Sequence, residues 1–318
     1  MKEKNLNSGT SEENSPVIKI IGVGGAGCYA LHHIYREGIP HVTFLLCHTE
    51  KYALIQSDVP GKLQFGKTID KAWAAAEAAK ESAEDIKKLL NDGTEMVFII
   101  AGMGGVTGTG AAPVIANIAK EMGILTVGIV TIPFLFEGMH KMLQALNGVE
   151  EMLKNADALL VINNERLRDI YGELTVAECF PKADEVILLA VKSIVEIITS
   201  SGSGYINLDI SDVKTTLKDK GPALINSGTA SGNNRITKAI ENAIQSPLTD
   251  HYNVFDAKRI LFHISSSEST PLLAQELEEI GNFISHFNSK DNIDVIWGAA
   301  IDESLGENVK VILLAAGF

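Results

Sequence analysis

The chain has 318 residues, of which 46% are apolar, so it can bury the core of one large domain or two ordinary ones. Its formal net charge of −13 argues against non-specific binding to nucleic acid or to a membrane surface, because both require a basic field. Cys28, Cys47 and Cys179 fit neither a zinc site nor a disulfide framework, which favours a reducing cytoplasm.

The N-terminal segment, residues 1–16 (MKEKNLNSGTSEENSP), is polar and has no apolar signal core. We predict that it is disordered. The longest apolar stretch, ILTVGIVTIPFLF, is too short to span a membrane and contains Gly128 and Pro133. The sequence therefore predicts a soluble protein without direct membrane insertion.

Short apolar runs alternate with helical patterns through the first half of the chain. The apolar runs predict buried strands at residues 17–23, 41–47, 96–100, 125–132 and 158–163. The intervening patterns predict helices near residues 26–37, 71–91, 110–122 and 139–154. This alternation indicates a parallel sheet covered on both faces, and such sheets bind ligands at the carboxyl ends of their strands.

The second half of the chain predicts a smaller α/β unit. A long helix is expected from about Pro181 to Ser200, and the SSGSG segment at 200–204 marks a boundary after it. The later elements are predicted as strands near 222–229, 259–265, 293–300 and 309–315 and helices near 233–245 and 272–287. The predicted fold class is α/β, with a parallel-sheet domain (17–180), a central helix (181–200) and a C-terminal domain (201–318).

Two glycine-rich turns follow predicted strands, GVGGAG (22–27) and AGMGGVTGTGAAP (101–113). Glycine inside regular structure is costly, so these turns need a reason to contain so many. Without side chains, successive backbone N–H groups can close on a phosphate, and the following helix adds its positive end. Thr107 and Thr109 can cap that helix or donate hydroxyls, and Pro113 suits its first turn. These turns predict a phosphate site.

Two other nucleotide motifs remain as alternatives. Gly22, Gly24 and Gly27 satisfy G-x-G-x-x-G, and Glu50 could hold a ribose, so a nicotinamide or flavin enzyme stays open. A Rossmann site, however, does not need the second glycine-rich turn. Residues 61–68 (GKLQFGKT) match the P-loop pattern with Lys67, but KLQF alternates like a strand, so we interpret the match as accidental.

The two turns, together with PFLFEG (133–138), NLDISD (207–212) and SGTASGNNR, resemble FtsZ, the cell-division family of the tubulin/FtsZ superfamily. The resemblance extends from Val17 to Phe318, and VINNERLRDIYGEL is similar to the Bacteroidetes type. It implies a tubulin-type GTPase, two domains joined by the central helix, and head-to-tail polymerisation for septation in the cytoplasm.

The resemblance also implies which residues bind GTP. Those expected around the phosphates are Gly24, Gly25, Ala26, Gly27, Cys28, Gly104, Gly105, Val106, Thr107, Gly108, Thr109 and Gly110. Glu137 would meet the ribose, and Lys141 would lie near the terminal phosphate. Asn164 and Asp184 would read the guanine edge, with Phe180 stacking on the base. Magnesium is expected through the phosphates, and no side-chain metal site is predicted.

The resemblance assigns catalysis to Asn207, Asp209 and Asp212, which enter the nucleotide site of the next subunit and orient the attacking water. Without that context, the same residues read as a turn capping a helix. Because the contact uses two different surfaces, it would propagate into a filament. Division-ring proteins and membrane anchors are further possible partners, although the tail that the family uses for anchors does not follow Phe318 here.

Four departures from the family pattern lie at the nucleotide. The usual glycine-rich loop is replaced by KAWAAAEAAKESAED, which favours helix. Val106 replaces a glycine and would be strained if its φ were positive. Lys141 replaces an arginine, and Cys28, His48 and Glu50 also differ. These changes predict altered affinity and slow hydrolysis, so a divergent paralogue that assembles with weak or no turnover is the alternative function.

Overall fold

A computed structural model describes residues 17–66, 69–200, 204–245, 253–286 and 293–318, without the side chains of residues 17, 176, 177, 179 and 180. Its strands are Val17–Val23 (β1), Val42–His48 (β2), Gly61–Gln64 (β3), Thr94–Gly102 (β4), Leu125–Ile132 (β5), Ala158–Asn163 (β6), Gly204–Ile206 (β7), Gly221–Ser231 (β8), Arg259–Ser266 (β9), Asp294–Ile301 (β10) and Asn308–Ala316 (β11). Its helices are Gly24–Arg36 (α1), Lys51–Ile55 (α2), Ala72–Glu81 (α3), Ala83–Leu90 (α4), Val106–Glu121 (α5), Met139–Asn155 (α6), Asn164–Ile170 (α7), Val176–Thr199 (α8), Ile210–Leu217 (α9), Arg235–Ile244 (α10) and Leu277–Ser285 (α11).

The first half of the chain forms a parallel sheet in the order β3-β2-β1-β4-β5-β6. Its strands are apolar on both faces, and alternate residues enter two separate cores. One core packs Ile20 and Phe98 against α1 and α8, and the other packs Ile21 and Val97 against α3, α4, α5 and α6. Burial on both faces explains the continuous apolar runs of the sequence.

The second half continues the same sheet rather than forming a separate one. The pairs Ala158–Gly221 and Leu159–Pro222 join β6 to β8 in parallel. The order then runs β8-β11-β9-β10-β7, with β11 antiparallel to both of its neighbours. A third core lies between these strands and the helices α10 and α11. The predicted α/β fold class is confirmed.

Helix α8 is the central element, and its residues from Ala183 to Ile198 lie in the core that also holds α1 and the start of β8. It begins at Val176 rather than at Pro181, because Thr175 and Glu178 form a capping box before the proline. The segment expected as one helix at 71–91 forms two, α3 and α4, with a break at Ser82. Within the described ranges, no helix is long and apolar enough to cross a membrane.

Candidate functional site

A two-lobed cleft lies at the carboxyl ends of β1, β4, β5 and β6. The larger lobe, about 610 Å³, is lined by the turn after β4 and is called here the glycine-rich lobe. The smaller, about 440 Å³, lies between α1 and α8 and is called the apolar lobe. The two lobes share Gly25, Ala26, Gly102, Thr131 and Asn164, so they form one continuous site. Its volume and mixed lining suit a small-molecule ligand.

The glycine-rich lobe receives the N-termini of two helices, α1 and α5. Their N-cap residues, Val23 and Gly105, provide no side-chain cap, and neither first turn contains an acidic residue. The N–H groups of those first turns, with the positive ends of both helix dipoles, therefore favour an anion in this lobe.

Close backbone contacts, one between the two glycine-rich turns and one within the second turn, explain two of their glycines. Gly24 has φ +72°, and a Cβ there would lie 2.8 Å from the backbone nitrogen of Gly108. A Cβ on Gly108 would lie 2.5 Å from the carbonyl oxygen of Gly102. A 3.0 Å hydrogen bond between the hydroxyls of Thr107 and Thr49 also joins the second turn to the end of β2. The glycine at position 24 therefore allows the backbone of the first turn to pack directly against that of the second.

Several residues predicted at the phosphates lie beneath the lobe instead of lining it. A Cβ on Gly27 would come within 2.2 Å of the Ile100 carbonyl oxygen, and one on Gly110 within 2.0 Å of the Ala72 carbonyl oxygen. These two glycines allow helices to pack closely. The buried Cys28 thiol donates to the Gly22 carbonyl at 3.6 Å, and burial raises its pKa to about 12. The other predicted residues that line neither lobe are Gly24, Gly104 and Thr109.

Gly27 and Gly25 give a matched test of this distinction. Gly27→Ala is expected to lower the free energy of unfolding by about 1–3 kcal/mol, because its Cβ meets backbone that cannot move aside. Gly25→Ala is expected to change it by less than about 0.5 kcal/mol, since a Cβ there has no heavy atom within 4 Å. Urea unfolding of both variants measures the difference. Equal losses would contradict the packing role of Gly27.

The apolar lobe contains two buried oxygen atoms that lack a partner. Asn164 Oδ1 and Asp184 Oδ2 have no hydrogen bond among the described residues, and both side chains line the lobe. Burial raises the pKa of Asp184 to about 6, and the nearby His33 opposes that rise. Unpaired buried acceptors are costly, so a ligand that supplies N–H donors is the natural explanation.

Comparison with protein families assigns both halves of the chain. Residues 17–172 match the Tubulin/FtsZ family GTPase domain, and residues 221–318 match the FtsZ family C-terminal domain. The cell division protein FtsZ of Porphyromonas gingivalis is 48% identical over 327 aligned positions, which cover 100% of this chain and 71% of the relative. That of Wigglesworthia glossinidia brevipalpis is 40% identical over 95% of this chain and 79% of its own.

The chain belongs to the FtsZ family. Among solved structures, an FtsZ dimer from M. jannaschii superposes with a TM-score of 0.82 at 36% identity, covering 96% of this chain and 89% of that one. The chain is therefore a GTP-binding cell-division protein with GTPase activity that assembles with copies of itself. The resemblance predicted from the sequence, including its Bacteroidetes character, is confirmed.

Val106, one departure from the FtsZ pattern, is not strained. It is the first residue of α5, and the described non-glycine residues with positive φ are His41, Asp219 and Asn234. The expected strain is therefore absent, because the positive φ of this turn falls on Gly104, at +91°. The Gly104 N–H donates to Thr109 Oγ1 at 2.9 Å, which places Thr109 in a structural role.

Glu137 and Lys141 line the glycine-rich lobe and form an ion pair with each other. Glu137 also accepts a hydrogen bond from the Phe134 N–H at 2.9 Å, which stabilises the turn that leads into α6. Lys141 packs beside Gly104, where a Cβ would meet it at 3.0 Å. The lysine therefore carries its charge to the edge of the turn after β4.

His48 and Glu50, further departures, shape the end of β2. His48 is buried, and its Nδ1 accepts from the Glu50 N–H at 2.8 Å. Burial lowers the pKa of His48, an effect that the Glu50 charge opposes. Burial thus favours the neutral form of the imidazole, and Glu50 lines the glycine-rich lobe.

The predicted catalytic residues lie outside both lobes of the cleft. Asp209 is the N-cap of α9 and accepts from the Ser211 N–H at 2.6 Å, while Asp212 Oδ2 accepts from the Asp209 N–H at 2.9 Å. Asn207 is exposed just before this capping box. The residues of NLDISD therefore do cap a helix, as one of the two interpretations of the sequence predicted. The capping box also holds two carboxylates at the surface.

Two further predictions can be placed only in part. Phe180 lies within α8, but its side chain is outside the described residues. Lys67 and Thr68 of the P-loop match are also outside them, whereas Gly61–Gln64 form strand β3, as the alternation of KLQF indicates. A P-loop would be a turn between strand and helix, so this finding supports an accidental match.

Sequence reasoning missed part of the lining of the cleft. Thr49 follows β2, Thr131 lies near the end of β5, and Tyr29 lies on α1. Pro133, Phe134 and Phe136 complete the wall near Glu137. The rule that ligands bind at carboxyl ends of parallel strands pointed to Thr49 and Thr131, because both stand at such ends.

Proposed function

We propose that the chain binds GTP with its base in the apolar lobe and its phosphates in the glycine-rich lobe. The two unpaired acceptors, Asn164 Oδ1 and Asp184 Oδ2, carry this orientation. Guanine presents N1–H and an exocyclic amine on one edge, and a carboxylate can accept from both. Adenine lacks that pair of donors, so it would leave Asp184 unpaired and be rejected. The predicted ribose contact of Glu137 and stacking of Phe180 complete the arrangement.

The glycine-rich lobe fits a triphosphate through backbone atoms. Gly25, Ala26 and the turn Gly105–Gly108 line it, and both helix N-termini lie there. Among the described ranges, no cluster of three His, Cys, Asp or Glu side chains could hold a metal ion. Mg²⁺ would then be held through the phosphates, and when bound it would neutralise charge on them.

We further propose that hydrolysis takes place between two copies arranged head to tail. Asn207, Asp209 and Asp212 of one copy would orient water at the terminal phosphate bound by the next. A carboxylate takes a proton from the water while the oxygen of that water attacks the γ-phosphorus. The bond to the bridging oxygen breaks, its electron pair stays with GDP, and inorganic phosphate leaves.

Exposed apolar side chains on two different surfaces support such a contact. Phe136 lines the glycine-rich lobe and is 73% exposed, and the adjacent Leu135 is 60% exposed. Tyr205 and Ile206, directly before Asn207, are 66% and 38% exposed. Pairing one surface with the other would bury both, and the contact would repeat along a filament.

The same proposal places domain boundaries at residues 180 and 200. It also places the protein at the division site in the cytoplasm. Helix α3 occupies the segment where the family carries a glycine-rich loop, and Lys141 pairs with Glu137. These two features favour slow turnover. The alternative with weak or no hydrolysis differs from the leading proposal only in rate.

Three measurements on the purified chain test the proposal. We expect GTP to bind in preference to ATP and NAD, light scattering to rise after GTP is added, and phosphate release per subunit to increase with protein concentration. The last result follows because the catalytic residues come from a second copy. Release per subunit that is independent of protein concentration would contradict catalysis between copies, and scattering with no release would select the alternative.

A further inference from the structure

The apolar lobe has an aromatic wall that the family resemblance did not point to. Tyr29 lies on α1 and lines this lobe, where the other wall side chains include Ala30, Ala183 and Ile187. Its ring is the single aromatic group among the described side chains lining the lobe. The ring is 52% exposed, although aromatic side chains are usually covered.

We propose that Tyr29 stacks on the guanine base and that His33 positions its ring. This inference rests on the proposed function, because it assumes that the base occupies the apolar lobe. Asn164 and Asp184 offer acceptors to the edge of the base, whereas Tyr29 offers a flat apolar face. The edge contacts select guanine, and the stacking contact adds affinity for any base.

His33 supports the ring from the same helix. Residues 29 and 33 are one turn apart on α1, so their side chains are neighbours. The ring centroids of Tyr29 and His33 are 4.7 Å apart with a tilt of 57°, and His33 itself meets the ring of His32 at 6.4 Å. The phenol hydroxyl of Tyr29 has no hydrogen bond within the described part of the chain. Packing rather than a hydroxyl contact therefore fixes this ring.

The position of the ring on a helix makes it suitable for recognition. Helix α1 is anchored by Ala30, Leu31 and Ile34 in the core, so Tyr29 is held on a rigid element rather than on a loop. A purine has two faces, so Tyr29 can stack on one of them while Phe180 stacks on the other, as predicted from the resemblance. The base would then be read on its edge by two acceptors and on a face by the ring of Tyr29.

Equilibrium binding of GDP to variants of Tyr29 tests the stacking contact. Tyr29→Ala should weaken GDP binding by about five- to 150-fold, the range expected for loss of base–aromatic stacking. Tyr29→Phe should bind as the wild type, because the hydroxyl is not used. Tyr52→Ala is the matched control, since Tyr52 is 70% exposed on α2 and lines neither lobe. Tripolyphosphate, which has no base, should bind the wild type and Tyr29→Ala equally.

The positioning role of His33 is tested by a measurement of GDP binding that a purely structural role would leave unchanged. At about pH 8, well above the pKa of Asp184, His33→Ala should weaken GDP binding in the wild type but not in the Tyr29→Ala background, and His33→Phe should restore binding. Equal GDP binding by wild type and Tyr29→Ala would overturn the inference while leaving the proposed function intact. A wild type that binds no guanine nucleotide would instead overturn the proposed function. If Tyr29→Ala fails to fold, Tyr29→Leu, which lacks a π face, replaces it.

Discussion

Replacing Asp184 by asparagine is expected to stabilise the nucleotide-free protein and to weaken its binding of GTP. The carboxyl lies partly buried in the apolar lobe with one oxygen unpaired, and desolvation raises its pKa to about 6. An ionised carboxylate is therefore disfavoured in the folded state. Such a residue works against stability, and we infer that it is present for its ligand.

The sign of the pH dependence follows from that raised pKa. Well below its ordinary pKa of 3.8, the carboxyl is protonated in both the folded and the unfolded state, so it costs nothing. As pH rises toward 6, the unfolded chain ionises first and stability falls; above pH 6 the loss is complete. The shift corresponds to at most about 3 kcal/mol, and solvent screening at a partly exposed site reduces this to about 1–2 kcal/mol.

Thermal unfolding of Asp184→Asn and the wild type between about pH 3 and about pH 8 measures this effect. We expect the variant to be more stable by about 1–2 kcal/mol at pH 7 and the difference to vanish below about pH 3. Glu185→Gln is the control, because Glu185 is exposed and paired with Lys182 at 2.8 Å. A variant that is less stable than the wild type at pH 7 would show that Asp184 is structural.

The same variant should lose affinity and base selectivity. A carboxylate that accepts from two guanine donors contributes charged hydrogen bonds, so Asp184→Asn should weaken GTP binding about 100-fold. The preference of the wild type for GTP over ITP, which lacks the exocyclic amine, should shrink in the variant. In the wild type, GTP affinity should fall as the pH drops below 6, because protonation removes the acceptor. Unchanged affinity and selectivity would remove Asp184 from the base site.

The location of the site could be read from the sequence because it depends on local patterns. Apolar runs predict the buried strands, and glycine-rich turns after β1 and β4 place backbone N–H groups at one sheet edge. Short elements such as α2 and α7 were missed, since five or seven residues do not establish a helical period. The strand β3 was visible in KLQF only as an alternation.

The role of each glycine could not be read from spacing. Gly25 and Gly27 belong to the same motif, yet one faces open space and the other lies against the Ile100 carbonyl. That difference depends on how closely α1 packs on β4, a contact between segments far apart in the chain. Whether Val106 is strained could not be predicted from the sequence either, because only the structure shows that Gly104 has the positive φ in this turn.

Asp212→Asn is expected to abolish most GTP turnover without changing the binding of GTP. Removing a general base typically costs 10²- to 10⁴-fold in rate, and an amide cannot take the proton from water. The side chain lines neither lobe, so nucleotide affinity should be retained. Asp212→Ala removes the acceptor of the Asp209 N–H as well and should cost about 0.5–2 kcal/mol of stability. The asparagine variant keeps that acceptor and so separates catalysis from capping.

Mixing two inactive variants tests whether the carboxylate acts on a neighbouring copy. Asp212→Asn retains a cleft that binds GTP, and Asp184→Asn retains the surface carboxylates but binds GTP weakly. At a GTP concentration between the two dissociation constants, each variant alone should release little phosphate. In an equal mixture up to about a quarter of the head-to-tail contacts pair a loaded cleft with an intact carboxylate, so turnover should recover in proportion. If Asp212 served the cleft of its own chain, mixing would restore nothing, and turnover would remain at the sum of the two separate variants.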